Sequence, residues 1–281
     1  TEIYTLSLHD ALPISPSRKK PTMFETRAML VELTIHQWTA RKHDRQVTRE
    51  VDRTHNANNA GRYNKQLVTK DSLQAINYWA GRTRAYHYSA TLPWGDQGQR
   101  LLPSRKLFQY RKQVIELRDN FNLAVITFVN EYSTLVEASK ARLGSMFNQN
   151  DYPSATEVRS KFDISFDLLP VPTANDFRVE VANEVQAEAE LTIQRRHDAA
   201  VKDCYVRIHD VLKRMSSRVT DATLVDARNI VDLLDDLNIT ENTELEQLST
   251  QIKRELLDGS SSKQLSSRAN QIMEAMAWPS V

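Results

Sequence analysis

The sequence predicts a mainly α fold (α+β minor), with long antiparallel helices in a bundle and a small antiparallel β-sheet. Two observations carry the helical part. Apolar residues recur at steps of three and four from Leu107 to Leu143 and again from Ala189 to Met215, and no proline interrupts either run. That spacing lines one face of an α-helix. A third observation carries the sheet: Val31–Ile35, Phe162–Leu168 and Phe177–Val181 alternate apolar and polar residues, as half-buried strands do.

The first residues are set apart. Thr1–Ser15 has no basic n-region, its apolar residues are broken by His9, Asp10 and Pro13, and no small-residue cleavage site follows. It is therefore not read as a secretory signal. The stretch resembles the translation of a sequencing adapter. Residues 1–22 are expected to be a non-native, disordered extension, with Met23 or Met29 as the natural start.

Residues 23–103 form a basic N-terminal region. Leu30–Trp38 mixes β-branched and aromatic side chains and reads as a strand. A polar helix follows over about Asp44–Asn56 and stops at the Asn58–Gly61 turn. Asp71 is placed to cap a helix that runs to about Tyr86, with Leu73, Ile76 and Trp79 on its buried side. Tyr86–Pro103 then gathers Tyr86, Tyr88, Trp94, two prolines and two glycines. Pro93 and Pro103 lack donors and Gly95 and Gly98 loosen the backbone, so a loop is expected. Dense aromatics in a loop signal a packed knot or a docking surface.

Residues 104–258 carry the long-helix bundle, with a β-hairpin at about 162–181. Ser104 caps a helix whose ladder is Leu107, Tyr110, Val114, Leu117, Phe121, Ala124, Phe128, Tyr132, Leu135, Ser139 and Leu143, ending at Gly144. Alternating three- and four-residue steps are the seam of a helix laid lengthwise on partners, here over about 57 Å. Ser154-Ala155-Thr156-Glu157 is a capping box for a short helix. Phe162–Leu168 and Phe177–Val181 form the hairpin across a Pro-rich connection, with Val31–Ile35 as a third strand. The second long helix, about Ala182–Arg218, has Ala189, Ile193, His197, Val201, Cys204, Ile208, Val211 and Met215 on its seam. Asp221 and Thr243 open two further helices. Residues 259–281 are a Gly/Ser linker and a short terminal helix.

Composition narrows the function. The chain has 281 residues, 40% hydrophobic and 26% charged, which is ordinary for a soluble globular protein. The apolar run Leu123–Val129 falls far below the ~18 residues of a membrane span. A single cysteine, Cys204, fits a reducing cytoplasm. Charge is divided unevenly: Pro16–Asn120 holds 20 Lys and Arg against 9 Asp and Glu, whereas Phe121–Val281 holds 17 against 25. The two halves complement each other in the fold or an oligomer, or the basic half meets an acidic partner.

No pattern calls for chemistry. His36, His43, His55, His87, His197 and His209 lack metal-ligand spacing, and His197 and Cys204 share an apolar seam. Asp226, Asp232, Asp235 and Asp236 read as a solvated helix face. There is no nucleophile elbow and no glycine-rich phosphate loop, so neither an enzyme nor a cofactor, ATP included, is expected. Two binding surfaces remain. Tyr86, Tyr88, Trp94 and Arg100 are candidates for docking a protein partner. Arg41, Lys42, Arg45, Arg49, Arg62 and Lys65, interleaved with aromatics, are candidates for nucleic-acid contact.

Several segments together resemble a family of tailed-phage and prophage proteins of unknown function. They are Gln37–Lys42, Gly61–Lys65, Tyr88–Trp94 with Arg100–Pro103, Leu143–Phe147 through Asp151–Pro153, and Leu169–Pro172 with Asp176–Val179. The resemblance covers roughly Met29–Leu257 and carries no catalytic residues. It implies a non-catalytic accessory protein of an infected bacterial host's cytoplasm. Such genes lie beside a MoxR-type AAA+ ATPase and a von Willebrand factor A protein, so the resemblance also implies an adaptor of that remodelling system. A homo-oligomer is compatible with the long ladders.

Overall fold

The computed structural model describes residues 27–95, 98–172, 183–217, 225, 228–232 and 243–257. The N-terminal extension, the second hairpin strand Phe177–Val181, most of the helix after Asp221 and the terminal linker and helix lie outside the described residues. The architecture is mainly α with a small antiparallel sheet, as the periodicities predict.

Strand β1 spans Ala28–His36, and Arg41–His43 forms the short β2. Helix α1 runs Arg45–Thr54 and leads to β3, Asn64–Gln66, which pairs with β2. Helix α2 covers Gln74–Ala90, preceded by a 3-10 turn at Asp71–Leu73. Asp71 therefore opens the 3-10 turn and does not cap α2. Next come β4, Leu92–Pro93, and β5, Gln99–Pro103. Helix α3 is Leu107–Leu143, α4 is Ala155–Arg159, and β6 is Asp163–Leu169. Helices α5, Asn183–Ser217, and α6, Thr243–Leu257, complete the described elements.

The Tyr86–Pro103 segment is not a loop. Its first residues are the last turn of α2, and the rest is a hairpin of β4 and β5 turned through Gly95 and Gly98 at φ +108° and +83°. The chain does leave the helix here, as the prolines and glycines predict, but it forms a hairpin. The main sheet has the order β4-β5-β1-β6, every pair antiparallel. Leu30 thus lies between Leu101 and Leu169. Val31–Ile35 does join Phe162–Leu168, as the alternation predicts.

Strand alternation sorts the core onto two faces. Ala28, Leu30, Leu92 and Leu101 point to one side and share a cluster with Ala200, Cys204, Ile208 and Val211 of α5. Val31 and Leu102 point to the other, against Tyr110 and Val114 of α3. Farther along α3, Phe121, Val125, Phe128 and Tyr132 pack on Ile76 and Ala80 of α2, Val158 of α4 and Ile164 of β6.

The long helices therefore do not share a seam: α3 and α5 cover opposite faces of the sheet. The buried residues of α3 explain why. They are Tyr110, Val114, Leu117, Phe121, Val125, Phe128, Tyr132, Val136 and Ser139, with Val125 and Val136 in place of Ala124 and Leu135. From Val114 onward the steps follow three-four-four, an 11-residue period of a nearly straight helix, not the heptad of a supercoiled pair. Ser104 begins a 3-10 turn before α3, and Gly144 ends the helix at φ +54°, a conformation glycine accepts cheaply.

Candidate functional site

Two regions draw together the residues picked out from the sequence. The first is an arm made of β2, α1 and β3. Helix α1 contains no buried residue, so packing does not hold it. Polar bonds do. The Asp44 carboxylate accepts the backbone N–H groups of Gln46 and Val47, each at 3.1 Å, forming an N-cap. Asp52 accepts the N–H groups of Asn59 and Ala60 at 3.2 and 3.3 Å. Thr48 Oγ1 accepts the N–H of Tyr63 at 3.1 Å. Asn56 and Asn59 take the left-handed backbone at φ +51° and +54° that closes the loop.

The arm is anchored through one lysine. Lys65 is only 5% exposed, and its Nζ lies 2.8 Å from Met146 O, 2.8 Å from Asp151 Oδ2 and 3.2 Å from Asp44 Oδ2. The three ammonium donors have three acceptors, so the charge is buried and fully paired. Hydrogen bonding to Val47 N–H and to Lys65 holds the Asp44 carboxyl below its ordinary range, against the effect of burial. Lys65 is held above the usual lysine value by the two aspartates despite desolvation. Lys65 is thus an anchor and not a nucleic-acid contact, a correction to the sequence reading.

Arg41, Lys42, Arg45, Arg49 and Arg62 are exposed, and so is Arg53. Arg45, Arg49 and Arg53 recur every fourth residue and form one stripe along α1. Among the described residues, none of these six has an ion-pair partner. Tyr63, 41% exposed, adds an aromatic ring to the arm. A groove of about 1070 Å³ runs along its base, bordered by Lys42 and Arg45, by Asp44, Glu50 and Asp151, and by residues 145–148.

The second region surrounds the C-terminal end of α2. Tyr86 and Tyr88 lie on the helix itself. Tyr88 is half exposed, and the Arg100 guanidinium sits 4.6 Å from its ring centroid. Arg100 also donates from Nε to Thr91 Oγ1 at 2.7 Å and from Nη2 to Thr91 O at 2.9 Å. Tyr86 stacks on Tyr110 at 5.9 Å, and the Tyr110 hydroxyl is hydrogen-bonded to His87 Nδ1 at 2.7 Å. Burial, aided by Arg100, pushes His87 down to about 4, so the ring is neutral at neutral pH. Burial also raises the Tyr110 phenol.

Trp94 does not join this surface. It is 1% exposed and packs with Leu30, Leu92 and Leu101 beneath α5. As a docking residue it is corrected to a core residue. The sequence signal, an aromatic among glycines and prolines, does not distinguish the two roles.

What the sequence reading missed is the contribution of α5. Arg207 reaches back 118 and 116 residues to donate to Ser89 O at 3.3 Å and Thr91 O at 2.9 Å. It is paired with Asp203 at 2.8 Å. With Arg214 and Lys106 it lines a cleft of about 570 Å³ beside Tyr86 and Tyr88. A lone arginine on a polar helix face carries no signal of this kind. Cys204 is buried, and its thiol is pushed up to about 12 by desolvation, the state of an inert core thiol. Among the described residues, no group of three or more His, Cys, Asp or Glu is arranged to hold a metal ion. No described helix is long and apolar enough to cross a membrane.

No protein-family model, no curated protein and no solved structure matches this chain.

Proposed function

We propose that this chain is a non-catalytic phage accessory protein that binds nucleic acid through the arm at residues 41–66. One observation carries the reading. Six exposed cations without an ion-pair partner among the described residues are collected on the arm, three of them in a single stripe along α1, a helix that buries no residue. Like charges four residues apart cost a helix about 0.2–0.5 kcal/mol per pair. The stripe therefore works against α1, and a phosphate backbone is the partner that turns that cost into attraction. Tyr63 supplies the stacking surface that single strands favour.

The test is fluorescence anisotropy of labelled single- and double-stranded DNA over a salt series. Affinity should fall steeply as salt rises. A variant carrying Arg41→Gln, Lys42→Gln, Arg45→Gln and Arg49→Gln should bind at least about tenfold more weakly at low salt, with a shallower salt slope. Retention of DNA unchanged by those four substitutions sinks the proposal.

The adaptor reading keeps a smaller foothold in Tyr88, half exposed beneath Arg100. Co-purification of an AAA+ ATPase or von Willebrand A protein, lost on Tyr88→Ala, would support it. A retained complex would count against Tyr88.

A further inference from the structure

We infer that the outward face of α3 pairs two copies of this chain, antiparallel across a two-fold axis beside Ile115. The inference is independent of the arm. Helix α3 turns Tyr110, Val114, Phe121, Val125 and Phe128 inward, against the sheet and α2. The opposite side of a helix that covers a core is ordinarily polar. Here it is not. Phe108 is 80% exposed, Leu123 63% and Ile126 45%. At about 100° per residue, Phe108 and Ile126 fall on one line along the helix. Ile115, half-buried, lies about 20° to one side of that line and Leu123 about 60° to the other. Four apolar side chains thus share one outward face over about 27 Å.

Charge names the occupant. The same face carries Lys112 and Asp119, both exposed and two helical turns apart on one side of the apolar line. Lys112 has no ion-pair partner among the described residues. Asp119 meets Arg118 at 3.6 Å, an exposed pair of small worth. A two-fold axis midway between Lys112 and Asp119 sets each of them against the other residue of the partner. The same rotation brings the two Ile115 side chains together and lays Phe108 against Leu123 and Ile126 of the partner.

The charge order along α3 agrees with that direction. Arg105, Lys106, Arg111, Lys112 and Arg118 stand against Glu116 alone before Asp119. From Asp119 to Ser139 there is no Lys or Arg, and Asp119, Glu131 and Glu137 are the charged residues. Antiparallel helices lay the basic stretch on the acidic one, whereas parallel helices lay like on like. A patch that fits its own rotated copy is what an isologous contact requires. One crossing helix pair is a small interface, so a reversible, concentration-dependent dimer is expected.

Sedimentation equilibrium of the full chain over a concentration series tests this. A monomer–dimer equilibrium is expected, and Phe108→Ser should weaken it at least about tenfold. Lys112→Glu and Asp119→Lys each create two like-charge contacts and should each weaken it about tenfold. The chain carrying both should regain the parent's dimerisation, because each contact again joins opposite charges. A parallel pair would show no such rescue, since residue 112 would face residue 112. Melting curves of the variants, run at dilutions where the chain is monomeric, should match the parent's and so separate a lost interface from a lost fold. The inference is overturned if the chain stays monomeric throughout, if Phe108→Ser leaves a dimer intact, or if the double swap dimerises no better than the single ones. The four-residue arm variant should dimerise as the parent does. Loss of the dimer there would move the contact to the arm and also overturn the inference.

Discussion

Lys65 shows how a residue's role depends on what surrounds it. In the sequence it is one cation among many, yet its ammonium is walled in by Asp44, Asp151 and the Met146 carbonyl. Lys65→Met should destabilise the protein by about 3 kcal/mol in urea unfolding, because two nearly buried carboxylates lose their counter-ion. The folded value of Asp44 lies below its ordinary 3.8, so its contribution is present above that pH and lost as acid titrates the folded group. Lys65 is raised above 10.5, so its contribution persists up to that pH and fades only in stronger base. His87 governs a different window. Its value drops from 6.5 to about 4 on folding, so the unfolded chain holds more protons between those limits. Stability should fall by about 3 kcal/mol as pH drops through that interval. His87→Gln, which keeps a partner for Tyr110, should flatten that part of a stability-versus-pH curve. An unaltered slope would show that another group is responsible.

At the scale of elements, α3 separates what periodicity tells from what it does not. The spacing identified the helix, its end at Gly144 and most of its buried face. It misplaced Val125 and Val136 because a heptad drifts from a straight helix by one position every few turns. Phe121→Ala should cost about 3–5 kcal/mol, since the ring is fully buried against Phe162 and the α2 face. Leu123→Ala, on a side chain 63% exposed, should change stability by less than about 0.5 kcal/mol. Chemical denaturation of the pair checks the assigned face, and equal losses would contradict it. The arm is the reverse case. Helix α1 was legible from its polar composition and the Asn58–Gly61 turn that stops it, but β2 and β3 were not, since three-residue strands of charged and amide side chains carry no alternation.

For the whole molecule, the sheet is the organiser. It receives β1, β4 and β5 from residues up to Pro103 and β6 from after it, with α5 on one face and α3 on the other. Trp94 lies at the centre of the α5 side, so Trp94→Ala should lower stability by about 3–5 kcal/mol. It should also expose α5 to limited proteolysis before α3. Simultaneous cleavage of both helices would argue against two separately packed faces.

Sequence alone determined that the protein is mainly helical, where its long helices and two of its sheet strands run, and which segment is rich in cations. Those properties are local, written in the spacing of neighbouring side chains. Only the tertiary structure decided that the long helices flank a sheet instead of each other, that Trp94 is core, that Lys65 is an anchor, and that Arg207 meets the end of α2. Each of those depends on contacts between residues tens to more than a hundred positions apart, and a helical period states which face is apolar without stating what covers it.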